Sequence, residues 1–173
     1  MSGRGGSGPA PRPPALRFQA SLLDRLIDLA PDQRRDPALS SGDSLMALRN
    51  AVRRDLEALL NARRRWRSWP ASFKELAVSP VGFGIPDFSA GAFNDPAQRQ
   101  ELRLEIEETI RRFEPRFITV NVSLRHSDAS LESGLHLRID AVLHAEPAPE
   151  PVTFDTFFDP SIDEVIVVAR DAA

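Results

Sequence analysis

Residues 106–124 read IEETIRRFEPRFITVNVSL, and the fold is decided by a change of period inside this stretch. Up to Phe113 the apolar residues fall three to four apart, so Leu102, Ile106, Ile110 and Phe113 share one face of a helix. Beyond Arg116 the period becomes two. Ile118, Val120, Val122 and Leu124 alternate with polar residues, as on a half-buried strand. Pro115 enforces the switch, because proline disfavours helical backbone at the residue before it and stops the helix by Glu114. The helix begins at Asn94-Asp95-Pro96-Ala97-Gln98, with Asp95 at the N-cap, Pro96 in the first helical position and Gln98 placed to complete a capping box. Glu107–Arg111 and Glu108–Arg112 add i,i+4 ion pairs worth about 0.2–0.5 kcal/mol each.

Working upstream, a second helix is predicted from Ser44 to about Arg63, with Leu45, Leu48, Val52, Leu56, Leu59 and Leu60 on one stripe and Ser41 or Asp43 as cap. A shorter helix near Phe18–Leu29 precedes it. Residues 1–15 read as a disordered arm and 16–173 as a single domain. Between Trp66 and Phe93 the density of Pro and Gly argues against regular structure after Val78. Val81, Phe83, Ile85 and Phe88 nevertheless pin that loop to a surface. Downstream, Leu135, Leu137, Ile139, Ala141 and Leu143 mark a strand, and Val152, Phe154 and Thr156 mark another. The run Val165-Ile166-Val167-Val168 reads as a last strand covered on both faces. Helices first and strands last give an α+β fold: N-terminal helices packed on a small, mostly antiparallel C-terminal sheet.

Composition narrows the function. The chain has no cysteine, which excludes disulfides, thiolate metal sites and a cysteine nucleophile. Residues 1–70 carry thirteen Arg against seven acids, while residues 126–173 carry ten acids against two Arg. A basic front and an acidic back suit complementary protein partners, or contacts between the halves, better than a nucleic-acid ligand. Arg63-Arg64-Arg65-Trp66-Arg67 mixes cations with an aromatic as a nucleic-acid patch does. It is short, and a helix end anchored by Trp66 at a subunit contact is the favoured reading. Residues Met1–Pro14 lack the apolar stretch of a secretory signal, so a cytoplasmic location is expected.

Candidate chemistry is sparse. His136 and His144 share the parity opposite to the apolar set of their strand and are expected to face solvent. Neither they nor His126 have an evident third ligand, so no metal site is expected. There is no Gly-rich phosphate loop and no Gly-x-Ser-x-Gly elbow, and no cofactor is expected. Two acids have apolar neighbours of the kind that raise a catalytic pKa. Asp87 lies between Pro86 and Phe88 and is read as a turn or cap residue, whereas Glu114 lies between Phe113 and Pro115. As an anion at a helix C-terminus, Glu114 opposes the dipole by about 0.3–1 kcal/mol and calls for a cation. Arg116 is two residues away. Glu114-Pro115-Arg116 is therefore either a rigid exposed dipole offered to a partner or an internal salt bridge tying helix to strand.

Four blocks in order resemble the TssE family of type VI secretion baseplates, a group shared with the baseplate wedges of contractile phage tails. They are Ser21-Leu22-Leu23-Asp24-Arg25-Leu26, the segment Val52 to Arg63, Gly84-Ile85-Pro86-Asp87-Phe88-Ser89, and Ile106 through Arg116. The match spans about residues 18 to 169, and Glu-Pro-Arg closing a helix before a strand is its most specific element. Phe83 departs from the tyrosine more usual there. The resemblance implies a structural subunit without enzymatic activity, at the cytoplasmic face of the inner membrane. It implies partners in the TssF and TssG wedge subunits, with TssK a further candidate, and contact with the TssB/TssC sheath whose assembly it helps initiate, an edge strand being one means. Glu114, Pro115 and Arg116 match the family's wedge-docking element. Substitution at Glu114 or Arg116 is then expected to weaken assembly and leave folding nearly intact. A lysozyme-like, peptidoglycan-hydrolysing enzyme is the alternative.

Overall fold

The computed structural model describes residues 26, 32, 41–64, 70, 72–86, 95–125, 135–145, 148–159 and 164–170. The expected arm lies outside the described residues, as does the expected first helix apart from Leu26, which is helical and exposed.

Helix α1 spans Ser41–Asn61, starting three residues earlier than its apolar period suggests. Leu48, Val52, Leu56, Leu59 and Leu60 are buried along its stripe, while Leu45 at the outer end is only half-buried. The helix stops where the chain turns to make a two-residue parallel bridge, β1 (Arg63–Arg64) against β2 (Ile85–Pro86). The loop between them is less irregular than expected. It holds two 3-10 turns, Lys74–Val78 and Pro80–Gly82. Ser79 caps the second by accepting a hydrogen bond from the Val81 N–H. Ile85 N–H donates to the Ala62 carbonyl at 3.0 Å, and Ile85 is fully buried. Gly84 makes this approach attainable, because its φ is +96° and a Cβ there would lie 2.3 Å from the Ala62 oxygen.

Helix α2 spans Pro96–Phe113, with Asp95 accepting the Ala97 N–H at 2.9 Å as its N-cap. Gln98 is exposed and makes no return bond, so the capping box is half formed. Both expected helix-surface pairs form, Glu107–Arg111 at 2.8 Å and Glu108–Arg112 at 3.0 Å. Leu102, Ile106 and Ile110 are buried, joined by Thr109.

Four strands follow: β3 (Phe117–Arg125), β4 (Leu135–Leu143), β5 (Glu150–Asp159) and β6 (Glu164–Arg170). They form one antiparallel meander in chain order. Helix α1 lies over β6 and α2 over β3, on the same face of the sheet. The core is the layer between, filled by the two helical stripes and by Val120, Val122, Leu137, Ile139, Val152, Phe154, Val165 and Val167.

Two strand expectations need correction. Ile118 is exposed, not buried. The register shifts between Phe117 and Thr119, which face Leu143 and Val142, so a bulge turns Ile118 outward. The last strand is covered on one face only: Val165 and Val167 are buried, whereas Ile166 and Val168 are exposed. Both described helices lie on the other side, so β6 is an ordinary edge strand of an antiparallel sheet. Its unbroken apolar run reflects an exposed apolar strip.

Replacing Gly84 by alanine is expected to lower unfolding free energy by about 1–3 kcal/mol, since the strain cannot relax without breaking the Ile85–Ala62 bond. Urea titration of the purified variant measures this, and an unchanged midpoint would mean the β1–β2 bridge is not under tension. A second expectation concerns pH. Burial alone would raise the Glu107 carboxyl, but the Val122 N–H, the Arg111 side chain and the charge of Arg103 outweigh it and hold it below the usual range. A lowered folded pKa means the stabilisation is complete above the ordinary carboxylate value of about 4.3 and is lost as pH falls through the lower folded value. Acid titration of Glu107→Gln should therefore show a shallower loss of stability below about pH 4.3 than the parent chain.

Candidate functional site

Helix α2 ends at Phe113 because Pro115 forbids another helical residue before it. Glu114 is the C-cap, its N–H donating to Ile110 O at 2.9 Å, and Phe117 N–H returns to Glu114 O at 3.2 Å. This tight turn brings the two charged side chains together. Arg116 Nε donates to Glu114 Oε1 at 2.5 Å, and Arg116 Nη2 donates to Glu114 Oε2. The guanidinium thus holds both carboxylate oxygens, the strongest geometry for this pair. The same Nη2 donates to Asp55 Oδ2 of α1 at 2.7 Å. Through its backbone carbonyl, Arg116 also accepts the His144 N–H at 2.8 Å, just beyond β4. One residue therefore joins both helices and the sheet.

The ion pair runs from the interior to the surface. The Glu114 side chain is 6% exposed, Arg116 22% and Asp55 36%. Burial alone would lower the pKa of the Arg116 guanidinium. Hydrogen bonds and charge from Glu114, then from Asp55, outweigh that and hold it above its ordinary value. Of the two options left open by the sequence, the internal salt bridge is the one formed. The carboxylate facing the negative end of α2 takes the nearest guanidinium. What the corner shows outward is exposed Pro115, the flank of Asp55 and the outer part of Arg116.

Beside the corner is an open groove of about 450 Å³. Leu59, Phe83 and Phe113 form its apolar wall, Asp55 and Arg116 its polar rim, and Ala58 and Pro115 its margin. Phe83 is held edge-on to Phe113 with ring centroids 5.3 Å apart. The loop is thus pinned through Phe83 and buried Ile85, whereas Val81, expected to help, is exposed and Phe88 lies outside the described residues. Arg116 Nη1 is buried and has no acceptor among the described residues. Asp55 and the Phe83–Phe113 pair were not singled out as site residues in the sequence. Asp55 had a signal: it lies three residues after Val52 and four before Leu59, so an acid borders the buried stripe.

The other candidates fall elsewhere. Arg64 is buried and bonded to Glu105 at 2.5 Å, and Arg63 lies 5.5 Å from the Phe158 ring centroid while donating to Leu60 O. Both are drawn into the fold; Arg65, Trp66 and Arg67 lie outside the described residues, as do Asp87 and His126. His136 is on the open sheet face with its ring 4.7 Å from that of Phe157, and His144 is exposed. Among the described residues no three His, Asp or Glu cluster as a metal site. No helix among them is long and apolar enough to cross a membrane.

Residues 46–148 match the family model of baseplate wedge protein gp25. The chain belongs to that family. It is the family of TssE, a type VI baseplate protein, and it gives this chain a structural role in a phage or type VI baseplate. The matched span contains the whole corner, from Asp55 to Arg116 and His144, and ends just before β5. No curated protein matches the chain.

Because Glu114 is buried and Arg116 is its main partner, the corner variants carry a folding cost that an outward dipole would not. Arg116→Ala strands a buried carboxylate and is expected to cost about 3–5 kcal/mol. Glu114→Ala leaves a guanidinium that keeps Asp55 and some water, so its cost should be clearly smaller. The double variant should cost less than the sum. Chemical denaturation of the three proteins checks the order; two small, additive losses would show that the pair is not structural.

Proposed function

We propose that this chain is a structural, non-enzymatic subunit of a type VI secretion baseplate, and that it docks on the TssF and TssG wedge subunits through the groove at the Glu114-Pro115-Arg116 corner. The observation that carries the reading is the groove itself. An apolar wall with a charged rim stands on a turn fixed by proline and by a bidentate ion pair. A rigid, half-apolar recess with a charged rim binds another protein chain at low ordering cost. Arg116 then holds the corner from inside, and the Phe83–Phe113 wall and the charged rim of Asp55 and Arg116 meet the partner. In this reading TssK is a neighbour, the protein works at the cytoplasmic face of the inner membrane, and it helps initiate the TssB/TssC sheath.

The fold cost at Glu114 and Arg116 makes them poor probes of docking. Ala58 is exposed at the groove margin on α1, so Ala58→Trp fills the recess and leaves the ion pair alone. Co-purification with TssF and TssG is expected for the parent chain and should fall at least tenfold for Ala58→Trp, with an unchanged unfolding midpoint. Full retention by this variant would remove the groove from the interface. Hydrolysis of peptidoglycan by the purified parent, abolished in Glu114→Gln, would instead favour a lysozyme-like enzyme. Glycoside cleavage needs an acid kept protonated near an apolar wall, and here both oxygens of Glu114 are taken by Arg116.

A further inference from the structure

Among the described residues, strands β3 and β6 are each paired on one side only. On the outer edge of such a strand, alternate residues turn both N–H and C=O away from the sheet, and these groups need partners or invite another strand. At both edges one residue is served by an Arg-x-x-x-Glu pair on the overlying helix. On β6, Glu57 Oε2 accepts the Val167 N–H at 3.3 Å and Arg53 Nη1 donates to Val167 O at 3.3 Å. Arg53 and Glu57 are themselves joined at 2.8 Å. On β3, Glu107 Oε2 accepts the Val122 N–H at 3.2 Å and Arg103 Nη1 donates to Val122 O at 2.8 Å. Arg103 and Glu107 are joined at 2.9 Å. A carboxylate and a guanidinium one helical turn apart thus supply the acceptor and the donor that a neighbouring strand's backbone would.

Further groups extend each edge. Asn61 pairs with both peptide groups of Val165, Nδ2 to O and N–H to Oδ1, each at 2.8 Å. Arg111 donates to Val120 O at 3.3 Å and braces Glu107 at 2.8 Å. The two Arg-x-x-x-Glu pairs are not equal. Arg53 and Glu57 are 34% and 37% exposed, whereas Arg103 and Glu107 are both 16% exposed. The clamp's own bonds to Val167, both 3.3 Å, are longer than those to Val122, 3.2 and 2.8 Å, and among the contacts described no second cation braces Glu57 as Arg111 braces Glu107. The open face beside β6 shows exposed Ile166 and Val168, while β3 shows Ile118 only at its bulged start and then Thr119, Asn121 and Ser123.

We propose that the two Arg-x-x-x-Glu pairs are clamps that stand in for missing strands and keep both sheet edges closed in the isolated chain, and that the α1–β6 clamp is the one that opens first. Opened, β6 offers an unpaired backbone edge flanked by apolar side chains, and in the isolated protein the occupant is the same edge of a second copy of this chain. This device is independent of the groove docking proposed above, and its test uses the isolated full-length chain without partners.

Amide exchange read residue by residue by NMR tests it. In the parent chain the Val167 amide should exchange at least tenfold faster than that of Val122. Glu57→Ala removes the acceptor while keeping a good helix former. It should speed exchange at Val167 by tenfold or more, leave Val122 unchanged, and produce concentration-dependent dimers in sedimentation. Glu57→Gln, which keeps a neutral acceptor, should restore most of the protection and the monomer. Unchanged Val167 exchange in Glu57→Ala, equal acceleration at Val122, or a variant that stays monomeric at millimolar concentration would overturn the proposal.

Discussion

The bidentate grip of Arg116 on Glu114 is the constraint around which the rest is arranged. A helix that must end at a proline leaves an acid facing its own negative pole, in a site almost closed to water. Alone, that carboxylate would cost several kcal/mol. Paired with the Arg116 guanidinium two residues later, which also holds Asp55, it becomes part of a joint between α2, β3 and α1. Because the joint is ionic, it fixes direction as well as distance. The planar guanidinium tolerates little rotation about the carboxylate plane. Phe83 and Phe113 are set beside it, and the groove exists because these four side chains do not move independently.

Helix side chains do more here than cover a core. Long polar residues on the flanks of α1 and α2 reach past the apolar layer to the sheet margins, and their aliphatic stems run along the apolar surface on the way. Each helix therefore makes two kinds of contact with the strand beneath it: an apolar one through its stripe and a peptide-like one through its flank. Sheet edges are usually protected by short length, charge or bulges. This chain adds a substitute for the missing neighbour, and has the bulge at Ile118 as well.

Much of the fold was legible from periodicity. The switch at Glu114-Pro115-Arg116, the stripe from Leu48 to Leu60 and the alternation along β4 each follow from local rules acting on one segment. What stayed hidden depends on two segments at once. The bulge at Ile118 arises from pairing with β4, and the bare face of β6 depends on which side the helices choose. Periodicity places a residue on a face without saying whether anything lies beyond that face. The site shows the same division. Glu114 and Arg116 were visible because they are two residues apart, whereas Asp55, 61 residues away from Arg116, becomes their partner only after folding. The choice between an internal and an external partner for Glu114 likewise turned on burial, which no local pattern reports.

The meander has a consequence for how the chain comes off the ribosome. Its four strands pair with sequence neighbours, so they can zip hairpin by hairpin. Helix α1 is different: Asn61 waits for Val165, 104 residues downstream. At about 5–20 residues per second that is roughly 5–20 s during which a leucine-rich stripe has been made and its cover has not. Nascent chains should therefore be most vulnerable to stickiness and chaperone capture in this interval.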